Sequence, residues 1–119
     1  MVELLYVEDD EDLRWLCTEI LTDEGHIVHP AADGLEGLDV LRQVEGIQII
    51  FTDGNMPRMS GSQFTYKVKS DPDYARYAAT PIIGTGAFSD SSMSRLVELL
   101  KKPFESSELL RCIQQYCRK

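Results

Sequence analysis

The sequence lacks the features that mark several protein classes. No apolar run approaches the roughly 20 residues that would span a bilayer, and no basic region with a cleavage site opens the chain. Basic residues number 12 against 20 acidic ones, and the resulting net charge of -8 disfavours direct nucleic-acid binding, which usually requires a basic face. We therefore expect a cytoplasmic protein that contacts neither membrane nor nucleic acid directly.

Cysteine is scarce, and its spacing fits neither a disulfide framework nor a CxxC metal motif. The three cysteines are Cys17, Cys112 and Cys117, and each falls on the apolar stripe of a predicted helix. We expect buried thiols. The length of 119 residues and the 43% hydrophobic content fit one globular domain over residues 1–119, with a single core and a single site.

Short apolar runs alternate with helical patterns along the chain. The runs predict strands at 4–7, 27–29, 49–52 and 81–85, each followed by a helix, with a further helix near the end. The runs are continuous and do not alternate with polar residues, as expected for a parallel sheet covered on both faces. The predicted fold class is α/β, with a doubly wound parallel sheet between helices.

Helix boundaries have local signals. The first helix carries an apolar stripe of Leu13, Leu16, Cys17, Ile20 and Leu21, with Trp15 expected on or beside the packed face. Ser60 with Gln63 has capping-box spacing, and Asp71-Pro72 is expected to end the third helix.

Polar residues collect where the predicted strands end. Glu8 and Asp9 follow the first strand, Asp53 the third and Thr85 the fourth, and Lys102 precedes the last helix. Ligands of open parallel sheets bind at the carboxyl ends of the strands. Taken singly, each residue has a plain structural explanation, such as an acidic helix start or a turn. Their convergence on one edge of the sheet favours a site.

The residue types at this edge indicate phosphoryl chemistry. Asp9 and Asp53 would repel each other unless a cation lay between them, and hard oxygen ligands suit magnesium. Lys102 and Thr85 can donate to phosphoryl oxygens, and Asp53, alone on its loop, is the expected nucleophile.

The motifs resemble the response-regulator receiver domain (CheY-like) family of two-component signalling over nearly the whole chain. The similarity lies in Glu8-Asp9 with Arg14, in Thr52-Asp53-Gly54-Asn55-Met56-Pro57, and in Met59-Ser60-Gly61. Each motif alone is weak, but their order and spacing are specific. The resemblance implies a five-stranded sheet in the order 2-1-3-4-5.

The resemblance also implies roles. Asp53 would accept phosphate from the phosphohistidine of a histidine kinase or phosphotransfer protein. Asp9, Asp53 and the backbone carbonyl of Asn55 would bind Mg²⁺, with Glu8 acting through water. Phosphorylation would draw Thr85 towards the phosphoryl group, with Lys102 also at the site, and so switch a protein-interaction surface.

Such a chain would assist only its own phosphorylation and dephosphorylation, so it is not expected to be an enzyme. The resemblance leaves the further partner open: it could be an output domain, a target protein or a second copy of the chain.

Two departures from the family concern the region after Thr85. The position three before Lys102 is usually aromatic, and here it is Leu99. The 17 positions from Thr85 to Lys102 are several fewer than expected, which predicts a shortened fourth helix or fifth strand within 86–101. An atypical receiver that binds proteins without phosphorylation is therefore the alternative, although no site residue is lost.

Two other functions share features of this pattern. A phosphatase of the haloacid-dehalogenase type would need a second aspartate two residues after the nucleophile, where this chain has Asn55. A flavodoxin-like cofactor carrier would need a first loop that cradles phosphate, and the acidic run 8–12 would repel one. Both functions are disfavoured.

Overall fold

Five parallel strands form one sheet in the computed structural model, which describes residues 1–117. The strands are β1 (Glu3–Val7), β2 (Ile27–Ala31), β3 (Ile49–Asp53), β4 (Ile82–Thr85) and β5 (Glu98–Leu100). Their order in the sheet is β2-β1-β3-β4-β5, which confirms the predicted topology. Residues 118 and 119, which the predicted domain included, lie outside the described residues.

Helices connect the strands and cover the sheet. The α-helices are α1 (Glu11–Asp23), α2 (Gly34–Gln43), α3 (Gly61–Ser70) and α4 (Ser106–Cys117), and two 3-10 helices span Pro72–Tyr77 and Asp90–Arg95. Asp10 and Asp33 cap α1 and α2 by accepting a backbone N–H of the first turn. Ser60 and Gln63 form the predicted capping box of α3, and Asp71 ends that helix.

The sheet buries a separate apolar layer on each face. Leu4 and Tyr6 of β1 belong to one layer and Leu5 and Val7 to the other, because successive side chains of a strand alternate. Residues of α1 and α4 complete the first layer, and residues of α2 and α3 complete the second. Each large aliphatic side chain that is fully buried contributes about 1.5–3 kcal/mol. The doubly wound arrangement is thus confirmed.

The packed face of α1 is narrower than its sequence pattern predicts. Cys17 and Leu21, one turn apart, are buried, whereas Trp15 is 64% exposed and Leu16 is 49% exposed. Leu16 lies about 100° around the helix from Cys17, which turns it away from the sheet. The prediction that Trp15 lies on or beside the packed face is wrong.

The cysteines are free thiols, as expected, although not all are buried. Cys17 and Cys112 are buried in the first layer, and Cys117 is only half-buried at the end of α4.

The region between β4 and β5 is shortened, as the spacing predicts. A six-residue 3-10 helix, Asp90–Arg95, stands where the fourth helix was expected, and β5 has three residues. The hydroxyl of buried Ser92 donates to the carbonyl oxygen of Ser89 at 2.9 Å and accepts from the Ser62 hydroxyl of α3. Serine hydroxyls that bond to nearby backbone compete with regular helix formation, which accounts for the tight turn.

Within residues 1–117, no helix has the length and apolar character needed to cross a membrane.

Candidate functional site

The site lies at the carboxyl edge of the sheet. Glu8 and Asp9 follow β1, Asp53 is the last residue of β3 and Thr85 is the last residue of β4. Asp53 and Thr85 are partners in the β3–β4 register, and Lys102 comes two residues after β5. The fold therefore brings the predicted acidic, hydroxyl and ammonium groups to one edge.

Three carboxylates form the acidic part of the site. One oxygen from each of Glu8, Asp9 and Asp53 lies within 4.8 Å of the others. Glu8 is fully buried and Asp53 is 5% exposed, whereas Asp9 is exposed. The cluster is therefore enclosed by protein on one side and accessible from the side of Asp9.

Lys102 joins the two buried carboxylates. Its Nζ lies 2.8 Å from Glu8 Oε1 and 3.3 Å from Asp53 Oδ2. Burial alone would lower the pKa of Lys102, but the hydrogen bond to Glu8 and the charges of Glu8 and Asp53 raise it above its usual value. The ammonium therefore stays protonated between these carboxylates.

Glu8 is the most enclosed of the acids. Its Oε2 accepts the N–H of Asp10 at 3.1 Å, so both of its oxygens have protein partners, and its carbonyl oxygen accepts from Arg14 at 2.8 Å. Burial raises the pKa of Glu8, against the opposing effects of Lys102 and the Asp10 N–H. Each oxygen of Glu8 therefore already accepts one hydrogen bond from the protein, and a metal ion would share these oxygens with Lys102 and the Asp10 N–H.

Thr85 carries a hydroxyl without a partner. Its side chain is fully buried, and Oγ1 has no hydrogen-bond partner among residues 1–117. Leaving a buried hydroxyl unpaired costs about 1–3 kcal/mol, so such a group in a native protein calls for an explanation. A ligand oxygen at Asp53, its partner in the β3–β4 register, would supply the missing acceptor.

Glycines let the loops close over Asp53. A Cβ on Gly54 would lie 1.8 Å from the carbonyl oxygen of Ala87, so the loop after β4 crosses directly over the loop after β3. Gly86 has φ +85°, and a Cβ there would lie 2.9 Å from Asp53 Oδ1. Side chains at these positions would collide with the neighbouring loop or with the Asp53 carboxylate.

An aromatic ring reaches the site from the loop after β4. Cβ atoms on Gly54, Gly61 and Gly84 would each lie within about 3 Å of the Phe88 ring, at 3.0, 2.8 and 2.8 Å. Leu99, at the position where the family usually has an aromatic residue, lies beside Gly84 as well, since a Cβ on that glycine would be 3.0 Å from Leu99 Cδ1. The ring therefore fills a space made by three glycines, a contact that no local sequence pattern predicts.

The donor set fits a divalent cation. Three carboxylates face one ammonium, so the site carries an excess of two formal negative charges. Carboxylate oxygens suit magnesium, and the exposed side at Asp9 leaves room for the waters that this ion retains. Asn55 also belongs to the site, because its N–H lies 3.4 Å from Asp53 Oδ1.

Sequence reasoning missed one ion pair near the site. The guanidinium of Arg58, in the loop after β3, bonds to the carboxylate of Asp33 at the start of α2. The two residues are 25 positions apart, and no local pattern marks them as a pair.

Comparisons with known proteins agree with this geometry. The sequence pattern of the response regulator receiver domain matches residues 4–114. An uncharacterised 14.6 kDa protein of Leptolyngbya boryana is 32% identical over 119 residues, covering 98% of this chain and 90% of that protein.

Solved structures share the fold. Chemotaxis protein CheY4 of Vibrio cholerae is 30% identical with a TM-score of 0.83, and the match covers 98% of both chains. The receiver domain of a Pseudomonas aeruginosa sensor histidine kinase, solved with magnesium coordinated in its active-site cleft, is 24% identical with a TM-score of 0.79 over 97% of this chain and 96% of that one. This chain belongs to the response regulator receiver domain family of two-component signalling.

Proposed function

We propose that the chain accepts a phosphoryl group on Asp53 from the phosphohistidine of a histidine kinase or phosphotransfer protein. The unpaired hydroxyl of Thr85 is the observation that carries this proposal. An oxygen of a phosphoryl group on Asp53 would accept the Thr85 O–H and remove the penalty of leaving it buried without a partner.

Asp53 is the nucleophile in this reaction. A carboxylate oxygen of Asp53 attacks phosphorus, a P–O bond forms and the P–N bond of the donor breaks. The leaving ring nitrogen keeps the bonding electrons and takes a proton from water, which returns the donor to neutral histidine. The product is an aspartyl phosphate, and the chain assists only its own phosphorylation and dephosphorylation.

Lys102 and Thr85 stabilise the transferred group. The protonated Lys102 already lies 3.3 Å from Asp53 Oδ2, so its charge is in place beside the incoming oxygens. Donors that are fixed before the reaction stabilise charge on a transferring phosphoryl group without reorganisation. The same ammonium keeps Glu8 and Asp53 from repelling each other before the reaction.

Magnesium is the proposed cofactor. Asp9, Asp53 and the backbone carbonyl of Asn55 would hold it, with Glu8 acting through water, and the bound ion would neutralise charge on the phosphoryl oxygens. The excess negative charge of the carboxylate cluster supports this assignment. A receiver domain with magnesium in its cleft, described above, supports it further.

The output of phosphorylation is a change in the segment 86–100. Gly86 and Ala87 follow Thr85 directly and lie against Asp53 and Gly54, so movement at Thr85 must displace them. Phe88 packs on Gly61 at the start of α3. This contact transmits the displacement to α3 and to the 3-10 helix Asp90–Arg95, which is hydrogen-bonded to α3. The surface of this segment is the proposed contact for an output domain, a target protein or a second copy of the chain.

Intact mass tests the proposal. The protein is incubated with magnesium and acetyl phosphate, and Asp53→Asn, Asp9→Ala and Asp12→Ala are treated identically. We expect one phosphate adduct in the wild type, none in Asp53→Asn, and a strongly reduced yield in Asp9→Ala. Asp12 is an exposed acid in the first turn of α1, and its variant should react normally.

The same experiment separates the two functional candidates. Uptake by Asp53→Asn at the wild-type level would overturn the assignment of the phosphoacceptor. A wild type that binds magnesium but takes no phosphate from any donor would favour a module that binds proteins without phosphorylation. The pairing of Lys102 with both Glu8 and Asp53 is the observation that favours that second candidate, because it holds the two buried carboxylates through a protein group.

A further inference from the structure

An ion pair ties the loop after β3 to the start of α2. Arg58 Nε donates to Asp33 Oδ2 at 2.7 Å, and Arg58 Nη2 lies 2.5 Å from the same oxygen. The guanidinium is half-exposed, whereas the Asp33 carboxylate is almost completely buried. The contact therefore anchors a surface loop on a fixed interior group.

Asp33 is itself held by the helix that it begins. Its Oδ1 accepts the N–H of Glu36 at 3.0 Å and caps α2. Burial opposes ionisation of this carboxyl, but the hydrogen bonds from Glu36 and Arg58 outweigh it and lower the pKa of Asp33. Asp33 therefore presents a charged acceptor whose position is set by α2.

The backbone of Arg58 adopts a conformation that this residue type rarely takes. Its φ is +65°, and within the described range 1–117 it is the only non-glycine residue with a positive φ. Arginine has no conformational advantage in the left-handed region, where glycine and asparagine are preferred. The ion pair with Asp33 is the compensating interaction that the structure provides.

Met59 makes a second contact at the same place. A Cβ on Gly34, the first residue of α2, would lie 2.8 Å from Cγ and 2.9 Å from Sδ of Met59. Consecutive loop residues thus contact Asp33 and Gly34 at the start of α2, one by charge and one by apolar packing. The apex of the loop is fixed at two adjacent points.

The base of this loop is part of the phosphorylation site. The N–H of Gly61 donates to the carbonyl oxygen of Gly54 at 2.9 Å, and the Asn55 N–H lies 3.4 Å from Asp53 Oδ1. The ends of the loop are joined at Gly54 and Gly61, and Arg58 and Met59 fix its apex. The backbone of Asn55 can therefore adopt few positions. Releasing the apex would free the backbone next to Asp53.

We propose that Arg58 and Asp33 form a clamp that positions the backbone of Asn55 for magnesium binding. The proposal rests on the function proposed above, because it assigns Asn55 to the metal site. Neither residue touches the reacting atoms, so both are positioning residues. Groups that orient metal ligands from outside the coordination shell typically change metal affinity by about 10–100-fold when removed.

The test measures the magnesium dissociation constant by calorimetry, together with the phosphorylation rate at saturating magnesium. Arg58→Ala removes the guanidinium, Arg58→Lys keeps the charge without the forked donor, and Asp33→Asn removes the charge but retains a good helix cap. Arg76→Ala is the matched control, because Arg76 is similarly exposed and pairs with exposed Glu45 at 3.3 Å. Thermal unfolding shows that each variant is folded.

We expect Arg58→Ala and Asp33→Asn each to weaken magnesium binding about tenfold, and Arg58→Lys to lie between them and the wild type. The double variant should also lose about tenfold, because the two residues act as one unit. Phosphorylation at saturating magnesium should stay within about twofold of the wild type, since the reacting groups are unchanged. Arg76→Ala should bind magnesium normally.

Unchanged magnesium affinity in Arg58→Ala and Asp33→Asn would overturn the clamp, and so would losses that multiply in the double variant. Phosphate uptake by Asp53→Asn would overturn the proposed function while leaving the magnesium measurement intact. The two failures are therefore distinguishable.

Discussion

The two halves of the sheet are built differently, although both contribute to one site. In the half formed by β1, β2 and β3, each strand has five residues, and β1 and β3 lie almost entirely in the core. In the half formed by β4 and β5, the strands have four and three residues, and a 3-10 helix replaces a full α-helix.

The chemical groups are divided in the same way. The first half supplies the acids Glu8, Asp9 and Asp53, whereas the second supplies Thr85 and Lys102. A cluster of like charges needs a rigid frame, and continuous buried strands provide one. The second half is less regular, and close contacts at Gly54 and Gly86 connect it to the loop and carboxylate of Asp53.

The largest expected effect comes from the point where the halves touch. Gly54→Ala would place a Cβ 1.8 Å from the Ala87 carbonyl oxygen, so the two loops must separate, and we expect a loss of about 3 kcal/mol in the free energy of unfolding. Urea denaturation measures it. Gly46→Ala is the control, because its Cβ would meet only the flexible end of the Glu3 side chain. Equal stability of the two variants would show that the loops are not in close contact.

The ion pair between the halves is the next strongest link. Lys102→Ala leaves Glu8 fully buried without its counter-charge, and since Lys102 is itself partly exposed we expect a loss of about 2 kcal/mol. The protein should remain folded but fail to respond to phosphorylation. Lys101→Ala, an exposed neighbour, should change stability by less than about 0.5 kcal/mol in the same denaturation series. A Lys102→Ala protein as stable as Lys101→Ala would contradict the pairing.

Phe88 tests whether the aromatic ring holds the second half in place. Phe88→Ala empties the space between Gly54, Gly61 and Gly84, and because the ring is half-buried we expect a loss of about 1–2 kcal/mol. Amide hydrogen exchange should increase in 86–100 and stay unchanged in β1. Tyr66→Ala, which removes an aromatic ring that is 61% exposed, should have a smaller effect. An unchanged exchange pattern in Phe88→Ala would mean that the ring does not fix the segment.

Cys112 of α4 is buried in the same layer as Leu4 and Tyr6 of β1, so it provides the smallest and most local test of how firmly the first half is packed. Burial raises the pKa of this thiol to about 11, so it stays protonated in the folded state well above the pH at which an unfolded cysteine ionises. A Cys17→Ser, Cys117→Ser variant should therefore react slowly with a thiol reagent at pH 8 until denaturant is added. Any stability that the neutral thiol contributes is present at low pH and is lost as pH rises through this pKa. Rapid labelling of the folded variant would show that the first half opens readily.

The sequence predicts the first half better than the second for a physical reason. Buried parallel strands require continuous apolar residues, so β1 and β3 and the acids that follow them are visible as local patterns. The shortened region after Thr85 is visible only as a short spacing to Lys102. Its 3-10 helix depends on hydroxyl contacts between Ser62, Ser89 and Ser92, which come from two separate parts of the chain.

Tertiary contacts account for what the sequence did not predict. The contacts of Phe88 with Gly54 and Gly61 and the pairing of Arg58 with Asp33 join residues that are distant in sequence. The exposure of Trp15 follows from which side of α1 faces the sheet. The spacing of apolar residues in the sequence defines that side only to within about one residue position. Closely spaced glycines after buried strands do indicate that another part of the backbone lies close by, but they do not identify which loop makes the contact.

We propose that phosphorylation of Asp53 acts through Thr85 on segment 86–100. The most direct test is hydrogen exchange of that segment, with and without magnesium and acetyl phosphate, in the wild type and in Thr85→Ala, while intact mass reports phosphate uptake. We predict that phosphorylation changes exchange in 86–100 of the wild type, leaves α2 unchanged, and has no effect on 86–100 in Thr85→Ala. A phosphorylated wild type whose segment 86–100 exchanges as before would contradict the claim.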